Sequence, residues 1–417
     1  MKTGYEHMRC GLLGERLGHS FSPLIHGELA DYTYTLCEVE KDALADFVKG
    51  GVLDAYNVTI PYKQAIIPYL AKISPRAAAI GAVNTVVRQS DGTLCGYNTD
   101  YFGFEYMLTR LGIDVCGKKA LVLGRGGAAL TVRAVLSDKG AREIVMLGSA
   151  DNTPETIKKH HDAEVIVNAT PVGMYPKNGV SPIELSGFKS CIAVLDLIFN
   201  PARTELLIEA ERMGIPSING LPMLVAQAAK AFEFFTGDSY GAGDIERITA
   251  KIEKATSNII LVGMPGCGKS TVGEIISKTL KRDFIDADAA FEEMHGISPA
   301  KCIEDFGEAH FRALETSTLK ELGKQSGKVI ATGGGAVTRE ENYSPLHQNG
   351  DIFFIERDLS SLAKDGRPLS LKTSPEEMYA KRMPQYRRFA DVTVFNNTTP
   401  EAAADLVISE FYKIHDK

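Results

Sequence analysis

A glycine-rich loop with the residue types needed to bind phosphate groups lies in the second half of the chain. The run G-M-P-G-C-G-K-S, Gly263 to Ser270, follows the apolar run I-I-L-V and precedes Thr271–Leu280, which we predict to be a helix. Glycines let successive N–H groups turn toward an anion, and the lysine and hydroxyl suit terminal phosphates and Mg²⁺. The loop predicts a nucleotide site, with a structural glycine turn as the alternative. The predicted contacts are Gly263, Gly266, Cys267, Gly268, Lys269, Ser270 and Thr271.

Two carboxylates follow this loop. The run F-I-D-A-D contains Asp286 and Asp288, which we expect at the end of a strand. Residues two apart on a strand share a face, so one carboxylate could serve a metal ion while the other meets a substrate hydroxyl. The pattern therefore predicts phosphoryl transfer to a hydroxylated acceptor.

The first half of the chain carries two weaker signals. Ser20 and Ser22 alternate before Pro23, which suits the first position of a helix. Their hydroxyls could reach one small anionic or polyol ligand, or they could simply cap the helix. Further along, V-L-G-R-G-G-A-A (Val122–Ala129) fits the dinucleotide turn G-x-G-x-x-G/A. Alone, this fingerprint is also compatible with a turn that binds no cofactor.

Short apolar runs alternate with helix-length segments along most of the chain and must position these motifs. They are Ala120–Leu123, Ile144–Leu147, Val165–Val167, Val194–Leu197 and Ile259–Val262. Such runs predict buried parallel strands joined by crossover helices, and therefore an α/β fold. We also predict a helix over Leu221–Thr236 that returns to the first lobe.

Composition limits the possible classes of protein. The 417 residues are 44% hydrophobic and 24% charged, which excludes a disordered or fibrous chain. The net charge of −7 gives no reason to expect nucleic acid or an anionic membrane as partner. The 7 cysteines form no C-x-x-C pair, and no apolar run nears the roughly 20 residues that cross a bilayer. We expect a soluble, cytoplasmic protein with reduced thiols, a monomer or homodimer acting on small molecules.

Four further motifs complete the pattern of the C-terminal part. They are G-E-A-H-F-R-A-L-E (Gly307–Glu315), T-G-G-G with Gly333 to Gly335, G-R-P-L (Gly366–Leu369) and R-M-P-Q-Y-R-R (Arg382–Arg388). In order and spacing, Ile259–Phe411 resembles shikimate kinase. The resemblance implies a P-loop domain with a parallel sheet that uses ATP and Mg²⁺.

The kinase resemblance also implies roles for single residues. It makes Asp286 and Ser270 the Mg²⁺ ligands, and Asp288 the group that binds the ring hydroxyls and orients the attacking oxygen. It makes Lys269 and Arg367 catalytic, with Arg367 in a mobile lid that also contacts ATP. The substrate carboxylate and ring are assigned to Arg312, Arg382 and Gly334. The chain lacks the additional arginine that this family often has near the adenine.

The N-terminal motifs form a second ordered set. G-H-S-F-S-P-L-I-H is followed by N-V-T-I-P-Y-K (Asn57–Lys63), G-A-V-N-T-V (Gly81–Val86) and G-Y-N-T-D (Gly96–Asp100). Together they resemble shikimate dehydrogenase from about Met8 to Gly237. The resemblance implies a two-lobed fold with a Rossmann-type domain, in which Lys63 and Asp100 transfer a proton to or from the substrate oxygen. The two residues are 37 positions apart, so no single element brings them together.

The dehydrogenase resemblance implies two ligand sets. The substrate ligands are Ser20, Ser22, Thr59, Asn84, Asp100 and Gln227. The cofactor-binding residues are Gly124, Arg125, Gly126, Gly127, Ala128, Asn168, Thr170 and Gly220. The family normally uses NADP, yet the second strand runs I-V-M-L-G-S-A-D without a basic residue for the 2′-phosphate. Arg125, inside the turn, could partly replace that charge. Asp151 lies 27 residues after Gly124, a little beyond the usual distance of about 20 for a ribose-binding acid.

The combined prediction is a bifunctional enzyme that reduces 3-dehydroshikimate to shikimate with NADP(H) and then phosphorylates the shikimate 3-hydroxyl with ATP and Mg²⁺. One alternative is an active kinase with a non-catalytic, shikimate-binding regulatory domain. Another is an NAD(H)-dependent quinate or shikimate dehydrogenase fused to the kinase. The predicted domains are substrate-binding (1–103 and 221–245), Rossmann (104–220), linker (246–257) and shikimate kinase (258–417).

Overall fold

The computed structural model describes residues 1–18, 20–362 and 375–416. The chain divides into two compact units. Unit 1 contains residues 1–172, 181–199 and 209–249, and unit 2 contains residues 173–180, 200–208 and 250–417. No helix within the described ranges is long and apolar enough to span a bilayer.

The described chain alternates strands and helices. The strands are β1 (Arg9–Gly14), β2 (Thr33–Glu38), β3 (Ala55–Val58), β4 (Lys72–Ile73), β5 (Thr85–Arg88), β6 (Leu94–Tyr97), β7 (Lys119–Leu123), β8 (Glu143–Leu147), β9 (Val165–Asn168), β10 (Ala193–Asp196), β11 (Ser217–Ile218), β12 (Asn258–Val262), β13 (Phe284–Asp286), β14 (Val329–Ala331), β15 (Gly350–Glu356) and β16 (Val392–Phe395). The α-helices are α1 (Ser22–Leu29), α2 (Leu44–Gly50), α3 (Tyr62–Ala65), α4 (Pro75–Ile80), α5 (Asp100–Leu111), α6 (Gly127–Asp138), α7 (Pro154–Lys158), α8 (Glu205–Arg212), α9 (Leu221–Thr236), α10 (Asp244–Thr256), α11 (Lys269–Leu280), α12 (Ala287–His295), α13 (Pro299–Phe306), α14 (Glu308–Leu322), α15 (Tyr343–His347), α16 (Pro375–Phe389) and α17 (Pro400–His415). Single 3₁₀ turns occur at Lys41–Ala43, Ile67–Tyr69, Leu185–Gly187, Ala336–Thr338, Glu340–Asn342 and Leu359–Ser361.

The first sheet of unit 1 has six strands in the order β2-β1-β3-β5-β6-β4. Strand β1 is parallel to β2 and β3, whereas β5 is antiparallel to both of its neighbours. Its core contains Leu13, Tyr56, Val58, Ile66 and Val86. Because β3 and β5 are neighbours, the segments that follow β3 and precede β5 are brought to the same end of this sheet.

The second sheet of unit 1 has five parallel strands in the order β11-β10-β9-β7-β8. Strands β7, β9 and β10 are buried along their length, which explains why each reads as a continuous apolar run. The predicted strands here agree with the structure to within a residue or two at each end. Helix α9 has the predicted bounds and packs against α5 and α1 while contacting β3 and β5 of the first sheet.

The sheet of unit 2 also has five parallel strands, in the order β13-β14-β12-β15-β16. Ile260, Ile330 and Phe353 are fully buried in it, and Phe411 of α17 packs in the same core. Parallel sheets flanked by helices confirm the predicted α/β fold class.

The segment predicted as a linker, residues 246–257, differs from the prediction. Almost all of it belongs to α10, and the division between the two units falls after residue 249 of this helix. Ile245, Ile248 and Ile252 are buried, and their spacing of three and four residues is that of one helix face. The surrounding charged residues hid this pattern from the sequence analysis.

Candidate active sites

Lys63 and Asp100 form a largely buried ion pair in unit 1. Lys63 lies in α3 and Asp100 is the first residue of α5. The distance from Lys63 Nζ to Asp100 Oδ2 is 2.6 Å, and the two side chains are 19% and 10% exposed. The backbone N–H of Val83 donates to the Lys63 carbonyl. This hydrogen bond fixes α3 beside the segment that leads into β5. A shielded ammonium beside a carboxylate can give a proton to a substrate oxygen and take it back.

The predicted serine ligands lie at the start of α1. The Ser20 and Ser22 hydroxyl oxygens are 3.1 Å apart, and Ser20 Oγ also accepts from the Ser22 N–H. The two hydroxyls therefore do come together, and one of them also supports the helix start. Thr59, which follows β3, lines the same cavity as Lys63.

Asn84 and Gln227 are brought together although they are distant in sequence. Asn84 Nδ2 donates to Gln227 Oε1 at 3.4 Å and to Thr99 Oγ1 at 3.0 Å. Asn84 Oδ1 accepts from the Thr99 N–H at 2.7 Å. All three side chains are buried, and these hydrogen bonds tie α9 to the end of the first sheet. This contact places two predicted substrate ligands side by side.

A buried polar chain that the sequence analysis missed continues behind Asn84. Asn57 Nδ2 donates to Thr85 Oγ1 at 3.1 Å, and Thr85 Oγ1 donates to Asn84 Oδ1 at the same distance. Asn57 Oδ1 in turn accepts from Tyr34 OH at 2.8 Å and faces His26 Nε2 at 3.1 Å. Isolated polar residues carry no periodic signal, so only their position within the N-terminal motifs pointed here.

His26 anchors the far end of this chain. It is fully buried, and this burial lowers its pKa to about 3. The neutral ring donates from Nε2 to Asn57, which leaves Nδ1 to accept from Tyr32 OH at 2.6 Å. All donors from Tyr32 to Gln227 therefore point the same way, and this fixed direction orients the amide of Asn84.

The predicted dinucleotide turn joins β7 to α6. Gly124 has φ +120°, and a Cβ there would lie 2.8 Å from the carbonyl oxygen of Ala169, so the turn requires glycine. Gly126 is the N-cap of α6. A cavity of about 960 Å³ is lined by this turn, by Thr170 and by Lys63. The residues of the turn that line it are Gly124, Arg125, Gly126, Gly127 and Ala128.

Two residues predicted to bind the cofactor, Asn168 and Gly220, make hydrogen bonds that shape the local backbone. Asn168 is fully buried; its Oδ1 accepts from Thr170 Oγ1 at 2.7 Å and its Nδ2 donates to Asp196 at 3.0 Å. Gly220 is the buried N-cap of α9, and its N–H donates to the Ile198 carbonyl. Asn168 thus shapes the Thr170 turn and Gly220 positions α9, while their contact with a cofactor stays a prediction.

The far end of the cavity carries a charged pair. Arg125 Nη2 lies 2.8 Å from Asp151 Oδ2, and the side chains are 62% and 39% exposed. The N–H of Gly148, directly after β8, donates to the same carboxylate oxygen at 3.2 Å. Asp151 is thus held at the end of the second strand, where the sequence lacks the basic cluster.

The phosphate loop of unit 2 joins β12 to α11 as predicted. Lys269 is buried, and its ammonium donates to the carbonyls of Gly263 at 2.9 Å and Met264 at 3.1 Å. Cys267 is fully buried, and its carbonyl accepts from Asn396 at 2.8 Å. Ser270 Oγ donates to Asp286 Oδ2 at 2.8 Å. These last two oxygens are the donor type that Mg²⁺ prefers. Thr271 follows Ser270 in the first turn of α11, and both residues are exposed.

The predicted shared strand face of Asp286 and Asp288 is wrong. Strand β13 ends at Asp286, whose Oδ1 accepts from the N–H groups of Asp288 and Ala289 and so caps α12. Asp288 therefore lies in the first turn of that helix. An aspartate at the end of a strand can also cap the helix that follows. Because Asp286 caps α12 and Asp288 lies within that helix, the two carboxylates do not share a strand face.

Two arginines approach the glycine segment after β14. Arg382 donates to the Gly334 carbonyl at 2.9 Å, and the Arg312 guanidinium lies against Gly335. A Cβ on Gly334 would lie 2.6 Å from Pro265. The glycine is therefore required by the close approach of the phosphate loop, whatever ligand binds there.

Arg312 has partners that the sequence analysis did not include. It donates to Glu315 at 2.8 Å and to Glu308 at 3.2 Å. Burial raises the pKa of Glu315; Arg312 opposes that shift and Asp288 adds to it. The spacing E-x-x-x-R-x-x-E along α14 was the available signal, since residues three and four apart meet on a helix. Arg367 and the segment Gly366–Leu369 lie outside the described residues.

These sites define an α/β oxidoreductase with a dinucleotide turn and an acid–base pair, continued by a P-loop phosphotransferase. Residues 12–86 match the family described as shikimate dehydrogenase substrate binding domain, and residues 265–412 match shikimate kinase. Shikimate dehydrogenase (NADP⁺) of Clostridium perfringens is 38% identical over 252 residues, which are 54% of this chain and 92% of the relative. The chain belongs to the shikimate dehydrogenase family and carries a shikimate kinase domain. It is therefore an enzyme.

Solved structures are similar to the same part of the chain. Shikimate 5-dehydrogenase of Thermus thermophilus, solved with NADP(H) and shikimate, is 32% identical with a TM-score of 0.54, covering 58% of this chain and 99% of that one. The Listeria monocytogenes enzyme, solved with shikimate and NAD, is 31% identical with a TM-score of 0.51, covering 59% and 96%.

Proposed function

We propose that the first part of the chain reduces 3-dehydroshikimate to shikimate with NADPH, and that the second part transfers the γ-phosphoryl group of ATP to the shikimate 3-hydroxyl. The names of the relatives and the two matched families support the substrates and cofactors. The observation that carries the proposal is that Lys63, paired with Asp100, lines the cavity that the dinucleotide turn also lines.

Lys63 is the proposed proton donor of the reduction. NADPH, when bound, supplies the hydride to the ring ketone. The Lys63 ammonium then gives its proton to the carbonyl oxygen, which becomes the hydroxyl, and Asp100 keeps the ammonium oriented. Asn84 and Gln227 hold the ring through amides fixed by their buried hydrogen bonds, and Ser20, Ser22 and Thr59 complete the proposed substrate contacts.

The proposed phosphoryl transfer uses the groups around the phosphate loop. MgATP, when bound, supplies the phosphoryl group, and Ser270 with Asp286 would hold the metal ion. Lys269 neutralises phosphate charge, and Asp288 orients the attacking hydroxyl. Arg312 and Arg382 bind the substrate carboxylate, a task suited to guanidinium groups. The expected contribution of Arg367 lies outside the described residues.

The proposed domains keep the boundaries predicted from the sequence, except that residues 246–256 belong to helix α10. A shikimate-binding module without catalysis is the less favoured candidate, because binding alone needs no lysine–aspartate pair beside a dinucleotide turn. A dehydrogenase that uses NAD(H) is favoured by one observation, the charged pair at the end of β8.

The proposal is tested with the full chain. Purified protein is given 3-dehydroshikimate with NADPH or NADH, and cofactor oxidation is followed at 340 nm. ATP and Mg²⁺ are then added, and ADP and the phosphorylated product are measured by ion-exchange chromatography. We expect cofactor oxidation first and one ADP for each shikimate formed.

The two proposed activities can be contradicted separately. No oxidation of either cofactor, together with normal phosphorylation of added shikimate, would favour the regulatory module. Oxidation of quinate with NAD⁺ would favour the quinate-type enzyme. Added shikimate that is not phosphorylated would contradict the kinase assignment.

A further inference from the structure

The strand end that meets the adenosine ribose in dinucleotide folds is the place where the two nicotinamide cofactors are distinguished. NAD(H) presents a 2′-hydroxyl there, which an acidic side chain binds, whereas NADP(H) presents a 2′-phosphate, which requires a cation. In this chain β8 ends at Leu147, and the next residues, Gly148 to Asn152, line the cavity. This segment therefore faces the 2′ position.

The charges at this end of the cavity almost cancel. Among the described residues that line it, the ionisable side chains are Lys63, Arg125 and Asp151. Lys63 is bonded to Asp100, so Arg125 is the cation left for the ribose end. It is paired with Asp151 at 2.8 Å. A 2′-phosphate entering here would meet a carboxylate as well as a guanidinium, and would have to compete for the guanidinium.

Asp151 already has the geometry of a hydroxyl acceptor. Arg125 and the Gly148 N–H both bind its Oδ2, and its own N–H donates to the Gly148 carbonyl at 3.0 Å. The described residues make no hydrogen bond to Oδ1. The carboxylate is thus fixed through one oxygen, while the other remains available on a side chain that is 39% exposed.

We propose that Asp151 is the specificity-determining residue at the 2′ position, that its Oδ1 accepts a hydrogen bond from the ribose 2′-hydroxyl of NAD(H), and that Arg125 binds a 2′-phosphate only by leaving Asp151. The enzyme therefore uses NAD(H) as well as NADP(H). This inference rests on the proposed dehydrogenase function and specifies its cofactor.

The test compares opposite changes at the two members of the pair. Asp151→Asn keeps the side-chain shape, removes the negative charge and frees Arg125. Arg125→Gln removes the phosphate-binding cation and leaves Asp151 in place. Glu155→Gln, on the exposed first turn of α7, is the matched control because it removes one negative charge outside the cavity lining.

Binding is measured without substrate by titrating each protein with NADH and NADPH and following the cofactor's own fluorescence; kcat/KM is then measured with each cofactor. We expect wild-type protein to bind both. The preference for NADPH over NADH should rise on the order of 10- to 100-fold in Asp151→Asn, fall by a similar factor in Arg125→Gln, and stay unchanged in Glu155→Gln.

Phosphorylation of added shikimate by each variant shows that the chain is folded. Wild-type binding confined to NADPH, or a preference that does not respond to Asp151→Asn while NADPH still binds, would overturn the inference and leave the proposed function standing. Failure to bind either cofactor would overturn the proposed function itself.

Discussion

Buried polar side chains, rather than charged ones, organise the substrate end of unit 1 at the scale of single residues. The chain from Tyr32 through His26, Asn57 and Thr85 reaches Asn84, and each donor has a buried acceptor. Removing one partner from such a chain leaves another buried and unsatisfied, which is more costly than the average hydrogen bond. The network therefore supports the orientation of the proposed substrate ligand Asn84.

His26 gives this network a measurable dependence on pH. Its folded pKa of about 3 lies below the ordinary histidine value, so the unfolded chain takes up a proton that the folded chain excludes. The contribution of neutral His26 to the free energy of unfolding is fully present above about pH 6.5. It falls by up to about 1.4 kcal/mol per pH unit as the pH decreases toward 3. His26→Gln, which stays neutral, should lose this part of the slope.

The measurement is scanning calorimetry of the full chain between pH 5 and 7, following the transition that moves when a nicotinamide cofactor is added. His7→Gln, at an exposed position, is the control and should keep the wild-type slope. Identical slopes for wild type and His26→Gln would contradict the assignment.

Residue pairs are also where the sequence was least informative. The Lys63–Asp100 contact spans 37 positions, and only resemblance suggested it, because helix and strand periods say nothing about such distances. Glu308 and Glu315 lay within reach of Arg312 at helical spacing. They were missed because a helix surface also carries such pairs without any site.

At the scale of elements, two-sided burial made several strands easy to predict, whereas one-sided burial among charged residues hid a helix. Strands β7, β9 and β10 are buried on both faces and therefore stand out as apolar runs. Helix α10 buries a single stripe among charged residues and was predicted as a linker. The end of β13 was misjudged for a different reason: one capping bond ends the strand before Asp288.

The buried stripe of α10 should contribute to stability. Ile248 is fully buried, so Ile248→Ala removes apolar contacts and leaves a cavity. We expect a loss of about 2–5 kcal/mol in unfolding free energy. Lys251→Ala, at an exposed position of the same helix, should cost less than about 1 kcal/mol.

Urea unfolding of both variants measures the difference. If the two substitutions had equal small effects, residues 246–257 would behave as the polar linker that the sequence suggested.

At the scale of the whole molecule, two sites of different chemistry lie on separate sheets. The acid–base pair and the dinucleotide turn belong to unit 1, and the phosphate loop, Asp288, Arg312 and Arg382 belong to unit 2. In the proposed sequence of reactions, the hydroxyl made from the ketone at one site is the hydroxyl phosphorylated at the other. Blocking that oxygen would prevent its reoxidation.

If the two sites act separately, a substitution in one site should reduce only the activity of that site. Lys63→Ala removes the proton donor and should lower the reduction of 3-dehydroshikimate by about 10²- to 10⁴-fold. Phosphorylation of added shikimate should stay within about twofold of wild type, because the two sites belong to separate compact units and share no residue. Both rates are measured on the same preparation, so each is the control for the other. Equal loss of both activities would show that the sites depend on each other.

The hydrogen bonds of the phosphate loop have a consequence for the turnover of the kinase half. The Lys269 ammonium donates to two loop carbonyls, and the Ser270 hydroxyl donates to Asp286. An arriving triphosphate thus exchanges partners with groups already in position and does not have to order a disordered segment. The same internal bonds define a shape to which the loop can return after the diphosphate leaves, so the loop need not be reordered for each catalytic cycle.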